Sequence, residues 1–333
     1  MILRTNTTNH SAIEMLSRPY FCSFSTMRFL LLFLFFLLQL SIKAQSDTTR
    51  KGQGKGMAGL FFKRYFDIRN AGAERKFKKA EKDNERLAFP LEDGDYKLVF
   101  EDNFDSLNTQ VWGIGQPWGR FHGHHPHQYY GDTEVFVNDG LLHLQNRYSP
   151  QSFNYQDSQI VIPYGTGLIH TYNSASFTYG YFAIRSKNPV GPATWPAFWL
   201  TGKYNWPPEI DIFEMYGKCS GEEINTQTMS LHFGKIEHDN KATLTKKVSL
   251  NETTDSAFHI YSCLWEPNKI SFYTDGVLLK VIPLNSWMQQ FYQEPMVVIL
   301  NNAVDHNYLD CIDNSKMPVD FIVDWIKIYQ KTD

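Results

Sequence analysis

The chain has 333 residues, with 32 Lys/Arg against 35 Asp/Glu, a net charge of −3 at pH 7 and 15% aromatic residues. That near-neutral total gives no sign of a nucleic-acid-binding protein, and 20% charged residues is ordinary for a globular protein. The average hides an uneven distribution: residues 1–44 carry +3, residues 45–89 carry +6 and residues 90–333 carry −12, which opposes a heavily sulfated substrate through the long-range field.

In chain order, the first element is an apolar run, Leu30–Leu38, preceded by Arg28 and followed by Lys43-Ala44-Gln45. It is shorter than the roughly 20 residues needed to span a bilayer, so a signal peptide is expected, with Met27 as the start and Ala44 at the cleavage site. Export follows, with no membrane span. Residues 45–89 read as a basic linker in which Ala71–Leu87 has the mixed charge pairs of a surface helix. The 244 residues from 90 to 333 suffice for one large domain.

In that region, short β-type runs lie between turn signals: Tyr96–Phe104, Gly140–Asn146, Ser176–Ser186, Ile260–Trp265, Ile270–Thr274, Met296–Asn301 and Phe321–Tyr329. Asn138-Asp-Gly140 and Thr274-Asp-Gly276 are hairpin signals that need positive φ. No long helical periodicity interrupts them, and the pattern predicts an all-β sandwich. The Arg120–Tyr130 stretch holds four histidines in six positions, at spacings that match no metal motif; a polar loop at a cleft rim or a plain surface loop is expected. Farther on, Trp195 and Trp199 are four apart and share one face of a strand, either as core or as a platform for sugar rings.

Trp206-Pro-Pro-Glu-Ile-Asp-Ile-Phe-Glu-Met215 carries the chemistry. Glu209 and Asp211 lie on one strand face, and an extra residue at Ile212-Phe213, a β-bulge, would return Glu214 to that face. Three like charges on one face resist ionising together. That cost becomes useful where one acid must stay protonated while another acts as a nucleophile, as in retaining glycoside hydrolysis. Of the cysteines, Cys22 falls in the leader. Cys219, Cys263 and Cys311 allow at most one disulfide, which the sequence does not choose.

The ordered series Tyr179-Gly-Tyr-Phe-Ala-Ile-Arg185, Thr194–Leu200, Glu209–Glu214 and Phe321–Gln330 resembles glycoside hydrolase family 16. The two residues between Asp211 and Glu214 are similar to that family's bulge-containing branch of laminarinases, agarases and carrageenases. The resemblance implies a jelly-roll, concanavalin A-like sandwich with a concave catalytic face. It also implies Glu209 as nucleophile, Glu214 as acid/base and Asp211 as a hydrogen-bonding partner of the nucleophile, with no cofactor needed for catalysis. A retaining pair requires carboxyl groups about 5–5.5 Å apart, so curvature, bulge and extended side chains must close a Cα separation of roughly 13 Å or more.

By the same resemblance His232, in Met229-Ser-Leu-His-Phe-Gly234, lies near the acid/base. Trp118, Trp195, Trp199, Arg185 and Asn301 (with Asn302) are candidate substrate contacts. A structural Ca²⁺ would draw ligands from Asp324 and the backbone of Gly140, although the string that usually supplies a Glu reads Asp102-Asn103-Phe104 here. Pro126 stands where laminarinases carry an acidic residue, which leaves an agar- or carrageenan-type galactan as the alternative to a β-1,3- or mixed-linkage glucan. A non-catalytic carbohydrate-binding sandwich is the other alternative. A monomer acting on polysaccharide is expected.

Overall fold

A computed structural model describes residues 95–121, 126–220, 225–235, 240–250 and 253–332. The leader, the basic linker with its expected helix, and His122 to His125 lie outside the described residues. Among those described, 17 strands form two sheets, and no helix is long and apolar enough to cross a membrane.

The ten-stranded sheet contains β1 (Tyr96–Asp102), β3 (Gln128–Tyr130), β4 (Val135–Asn138), β5 (Leu141–Tyr155), β6 (Ser158–Thr166), β8 (Gly180–Lys187), β13 (His259–Glu266), β14 (Lys269–Thr274), β15 (Val277–Pro283) and β17 (Val319–Lys331). The seven-stranded sheet contains β2 (Gly113–Ile114), β7 (Leu168–His170), β9 (Thr194–Gly202), β10 (Glu209–Glu214), β11 (Thr226–Lys235), β12 (Asn240–Ser249) and β16 (Met296–Val304). Its order is β12-β11-β10-β9-β16-β7-β2, antiparallel throughout. Strands that are distant in sequence are therefore neighbours, as an all-β jelly roll requires. Among the described residues the one α-helix, α1 (Ser286–Gln289), is a single turn capped by the Asn285 side chain.

Period-2 alternation builds the layers. On β9, Phe198 and Leu200 point into the core while Trp195, Ala197, Trp199 and Thr201 face away from it. The inward residues of both sheets meet in one large cluster that includes Phe182, Phe198, Ile210, Phe213, Phe272 and Phe321, all fully buried. Burying a Phe or Ile side chain contributes roughly 1.5–3 kcal/mol, so this layer dominates the fold's stability. Both predicted hairpins form with paired positive φ: Asp139 (53°) and Gly140 (73°), then Asp275 (48°) and Gly276 (72°). This is the backbone that right-twisted strands favour at a two-residue turn. β5 runs nine residues past the predicted Asn146, because pairing with β6 rather than apolar alternation sustains it through Arg147–Tyr155.

A disulfide joins Cys219 and Cys311 across 92 residues, and Cys263 is a buried free thiol in the core.

Candidate active site

The acids arrive on one face because β10 is bulged. Against β9, Asp211 pairs with Trp199 but Phe213 pairs with Phe198, so Ile212 is the extra residue. Against β11, the register likewise shifts between Asp211 and Glu214. Ile210, Ile212 and Phe213 are all fully buried in the core. With two consecutive side chains inward, Glu214 turns back to the face already occupied by Glu209 and Asp211. All three line a cleft of about 570 Å³.

Each glutamate is held by an indole. Trp206 Nε1 donates to Glu209 Oε2 at 2.8 Å, and Trp195 Nε1 donates to Glu214 Oε1 at 3.0 Å. Asp211, only 3% exposed, accepts the side-chain hydrogen bond of Glu209, while His232 Nε2 lies 3.1 Å from Asp211 Oδ2 and 3.3 Å from Glu209 Oε1. The far side of the imidazole is fixed by Thr243 Oγ1, 3.0 Å from Nδ1. His232 sits directly opposite Glu209 in the β10–β11 register and Thr243 opposite His232 in β11–β12, so the row is a product of strand pairing. Tyr292 OH donates to the backbone oxygens of His232 (2.9 Å) and Glu209 (3.3 Å), tying the row from behind.

Burial is the main reason all three carboxyls resist ionising. Glu209 is raised well above the usual range by desolvation and then by the charge of Asp211; His232 and the Trp206 hydrogen bond offset part of this. Asp211 is raised well above it by desolvation and then by Glu214. Glu214 is raised by desolvation, against the lowering effect of hydrogen bonds from Tyr216 and Trp195. The cluster therefore retains protons at pH values where isolated carboxyls have lost theirs. Glu209, Asp211 and His232 are also the one grouping among the described residues whose ligand atoms are close enough for a metal, all within 4.8 Å.

Trp195 and Trp199 are not core: both line the cleft, and Trp199 Nε1 donates to Asn301 Oδ1 at 2.7 Å, placing Asn301 there as well. Trp118 lines the cleft and is 56% exposed. Asn302, by contrast, is fully buried and points to the other sheet, where its Nδ2 donates to Leu144 O and Val319 O. Arg185 is a correction too. It lies on β8 in the opposite sheet, its guanidinium paired with Asp324 and 4.7 Å from the Phe258 ring centroid, away from the cleft. That pairing bears on calcium as well. The Asp324 carboxylate expected as a ligand is already taken by a guanidinium, the third expected position carries Asn103 instead of Glu, and the neighbouring Asp102 accepts from Phe104 N and Trp112 Nε1; these residues do not fit a Ca²⁺. Gly140 serves as the hairpin glycine.

Of the histidine-rich Arg120–Tyr130 stretch, the described flanks serve both fold and cleft: Gln128 and Tyr130 line the cleft. Arg120 pairs with Asp132 at 2.6 Å, and His127 Nε2 is 2.8 Å from Val304 O, its pKa lowered by burial. Pro126 is exposed. Sequence reasoning did not single out Trp206, Tyr216 or Lys203 as site residues. Trp206 was available as the residue before the two prolines that lead into Glu209, but nothing in the sequence aims its indole at that carboxylate.

A jelly-roll sandwich whose outer face carries one buried and two half-buried carboxyls among indole rings is the architecture of a carbohydrate-active protein. The model of glycosyl hydrolases family 16 matches residues 128–327, and the chain belongs to that family. Among curated relatives, it is 26% identical over 310 residues to a glucan endo-1,3-beta-glucosidase A1 of Niallia circulans, covering 84% of this chain and 45% of that protein. It is 27% identical over 258 residues to a keratan-sulfate endo-1,4-beta-galactosidase of Sphingobacterium multivorum, covering 71% and 56%. The chain thus spans about half the length of these relatives. The catalytic domain of an endo-1,3-beta-glucanase (laminarinase) from Thermotoga petrophila has the same fold, with a TM-score of 0.58 at 23% identity over 72% of this chain and 99% of that one.

Proposed function

We propose that the protein is an endo-acting, retaining glycoside hydrolase that cleaves a β-1,3- or mixed-linkage glucan. The observation that carries this reading is the bulge at Ile212, which sets Glu209 and Glu214 on one cleft face with one oxygen of each fixed by an indole N–H. Glu209 is the nucleophile: its ionised oxygen attacks the anomeric carbon while Glu214 gives its proton to the departing glycosidic oxygen. Water then attacks the glycosyl-enzyme ester, Glu214 takes the water's proton, and the sugar leaves with its original anomeric configuration. Asp211 holds Glu209 in place through their side-chain hydrogen bond, and burial, with the charge of Asp305, keeps the acid/base protonated until transfer. No cofactor takes part. Trp118 and Trp199 offer faces on which pyranose rings can stack.

A galactan is the second reading, and two observations favour it: Pro126 replaces an expected acidic residue, and Lys203 lines the cleft without a carboxylate partner among the described residues. For location, the leader at residues 1–44 and the Cys219–Cys311 disulfide both support export to an oxidising compartment.

The test is reducing-end release by the purified chain and its Glu209→Gln variant on laminarin, lichenan, agarose and carrageenan, with the first-formed anomer followed by NMR. Release from laminarin or lichenan with retained configuration, lost in the variant, supports the reading. Release from agarose or carrageenan alone transfers it to the galactan reading. Binding without release by the unaltered chain would sink both.

A further inference from the structure

The segment following the bulged strand is tied down more firmly than a connecting loop needs to be. Met215 N donates to Pro196 O (3.1 Å), Gly217 N to Thr194 O (2.8 Å) and Ala193 N to Gly217 O (2.7 Å). The backbones approach so closely at Gly217 that a Cβ there would lie 1.6 Å from Gly191 O. Two residues on, Cys219 is bonded to Cys311, in the 3₁₀ turn His306–Cys311 that follows β16. That turn begins at Asp305, a 3%-exposed residue whose charge is felt at Glu214.

Between these anchors stands Tyr216. Its ring packs on Trp195, with centroids 5.2 Å apart and planes at 37°, and its phenol hydrogen-bonds the Glu214 carboxyl. Tyr216 does not itself line the cleft. Glu214 is thus gripped from behind by Tyr216 and held at Oε1 by Trp195, whose indole is steadied by the same tyrosine ring.

We propose that Tyr216 is a positioning residue for the acid/base: from a loop clamped by the Cys219–Cys311 disulfide, it fixes the Glu214 carboxyl and tunes its acidity without touching substrate. The inference rests on the assignment of Glu214 as acid/base. Burial and the neighbouring carboxylates hold the phenol far above its usual pKa, so it keeps its proton and donates it to the ionised Glu214 carboxylate. A donated hydrogen bond favours the carboxylate over the carboxylic acid, so it lowers the pH at which Glu214 loses its proton. Burial pushes the other way and stronger. The phenol therefore limits a rise that would leave the acid too weak to protonate the leaving oxygen.

Tyr216→Phe, which keeps the ring on Trp195, provides the test. The alkaline limb of the kcat/KM profile should move to higher pH by about one unit, the lower end of what loss of a hydrogen bond to a charged group gives. The fall in kcat should be larger on polysaccharide than on an aryl β-glycoside whose leaving group needs no proton; an equal fall on both with an unmoved limb means a packing role and overturns the proposal. In parallel, a ¹³C-carboxyl NMR titration of Glu214 in both proteins reports its pKa without turnover. An upward shift in the variant supports the proposal even if the unaltered chain hydrolyses nothing, a result that would sink the hydrolase reading separately. Unchanged midpoints overturn it.

Discussion

Trp206→Phe isolates one hydrogen bond at Glu209, the proposed nucleophile. In the native protein Trp206 Nε1 donates to Glu209 Oε2 at 2.8 Å, while Oε1 faces His232 at 3.3 Å. The substitution leaves a ring at this position but removes the donor from an oxygen that must carry charge in the attacking state. Hydrogen bonds to charged groups contribute about 1.5–3 kcal/mol, equivalent to about 1–2 pKa units. Trp206 is 43% exposed, so water replaces part of the lost donor and the figure must be discounted to about 0.5–1 unit. The direction follows from the site: Glu209 is already raised by desolvation and by Asp211, and the indole is one of the influences lowering it. Removing it raises the pKa further. Because the proposed mechanism needs Glu209 ionised to attack, the acidic limb of kcat/KM should shift to higher pH by that amount, with about a 3- to 10-fold loss below the limb. The assay is kcat/KM against pH on laminarin, or on whichever polymer proves to be the substrate. An acidic limb that stays in place while only KM rises would refute the reasoning and leave Trp206 as a stacking surface alone.

Asp211→Asn should lower activity yet raise the melting temperature at pH 7. A carboxyl whose pKa is raised on folding binds more protons in the native state, so stability falls as pH rises from its unfolded value through the folded one; the neutral amide removes that loss. Circular dichroism melts at pH 4 and pH 7 check the sign, and a gain at pH 4 equal to that at pH 7 would contradict it. Replacing both Cys219 and Cys311 with Ser opens a loop of 92 residues' separation, for which chain entropy gives about 4–5 kcal/mol as an upper figure; denaturant unfolding measures it. Cys263, fully buried with its thiol pushed upward by burial, should react with a thiol reagent only on unfolding, at a rate that follows denaturant concentration. Glu214→Gln should abolish release from polysaccharide while sparing the first step on an activated aryl glycoside, seen as a burst of phenol.

Much of this molecule was legible along the chain because its signals are local. Alternation and turn residues predicted the strands, and Asp-Gly pairs predicted both hairpins, since only a short range of φ is at stake. The bulge was legible too: three acids at positions 209, 211 and 214 share a face only if one extra residue is inserted, and Ile212 is that residue. Strand pairing across the fold was not legible. Arg185 and Asn302 carry polar groups that could serve a cleft, yet each faces away from it, because which sheet a strand joins depends on partners far along the chain. The charge balance at Asp324 likewise depends on β8 and β17 becoming neighbours, which seats a guanidinium where a calcium ion was expected. The cysteine pairing and the grip of Trp206, Trp195 and Tyr216 on the two glutamates are contacts of the same kind. The sequence by itself determined the acids, their spacing and the strand that carries them, through backbone geometry acting over a few residues. Only the tertiary structure decided what surrounds those acids, because burial, hydrogen bonds and neighbouring charge come from strands brought together by the hydrophobic core.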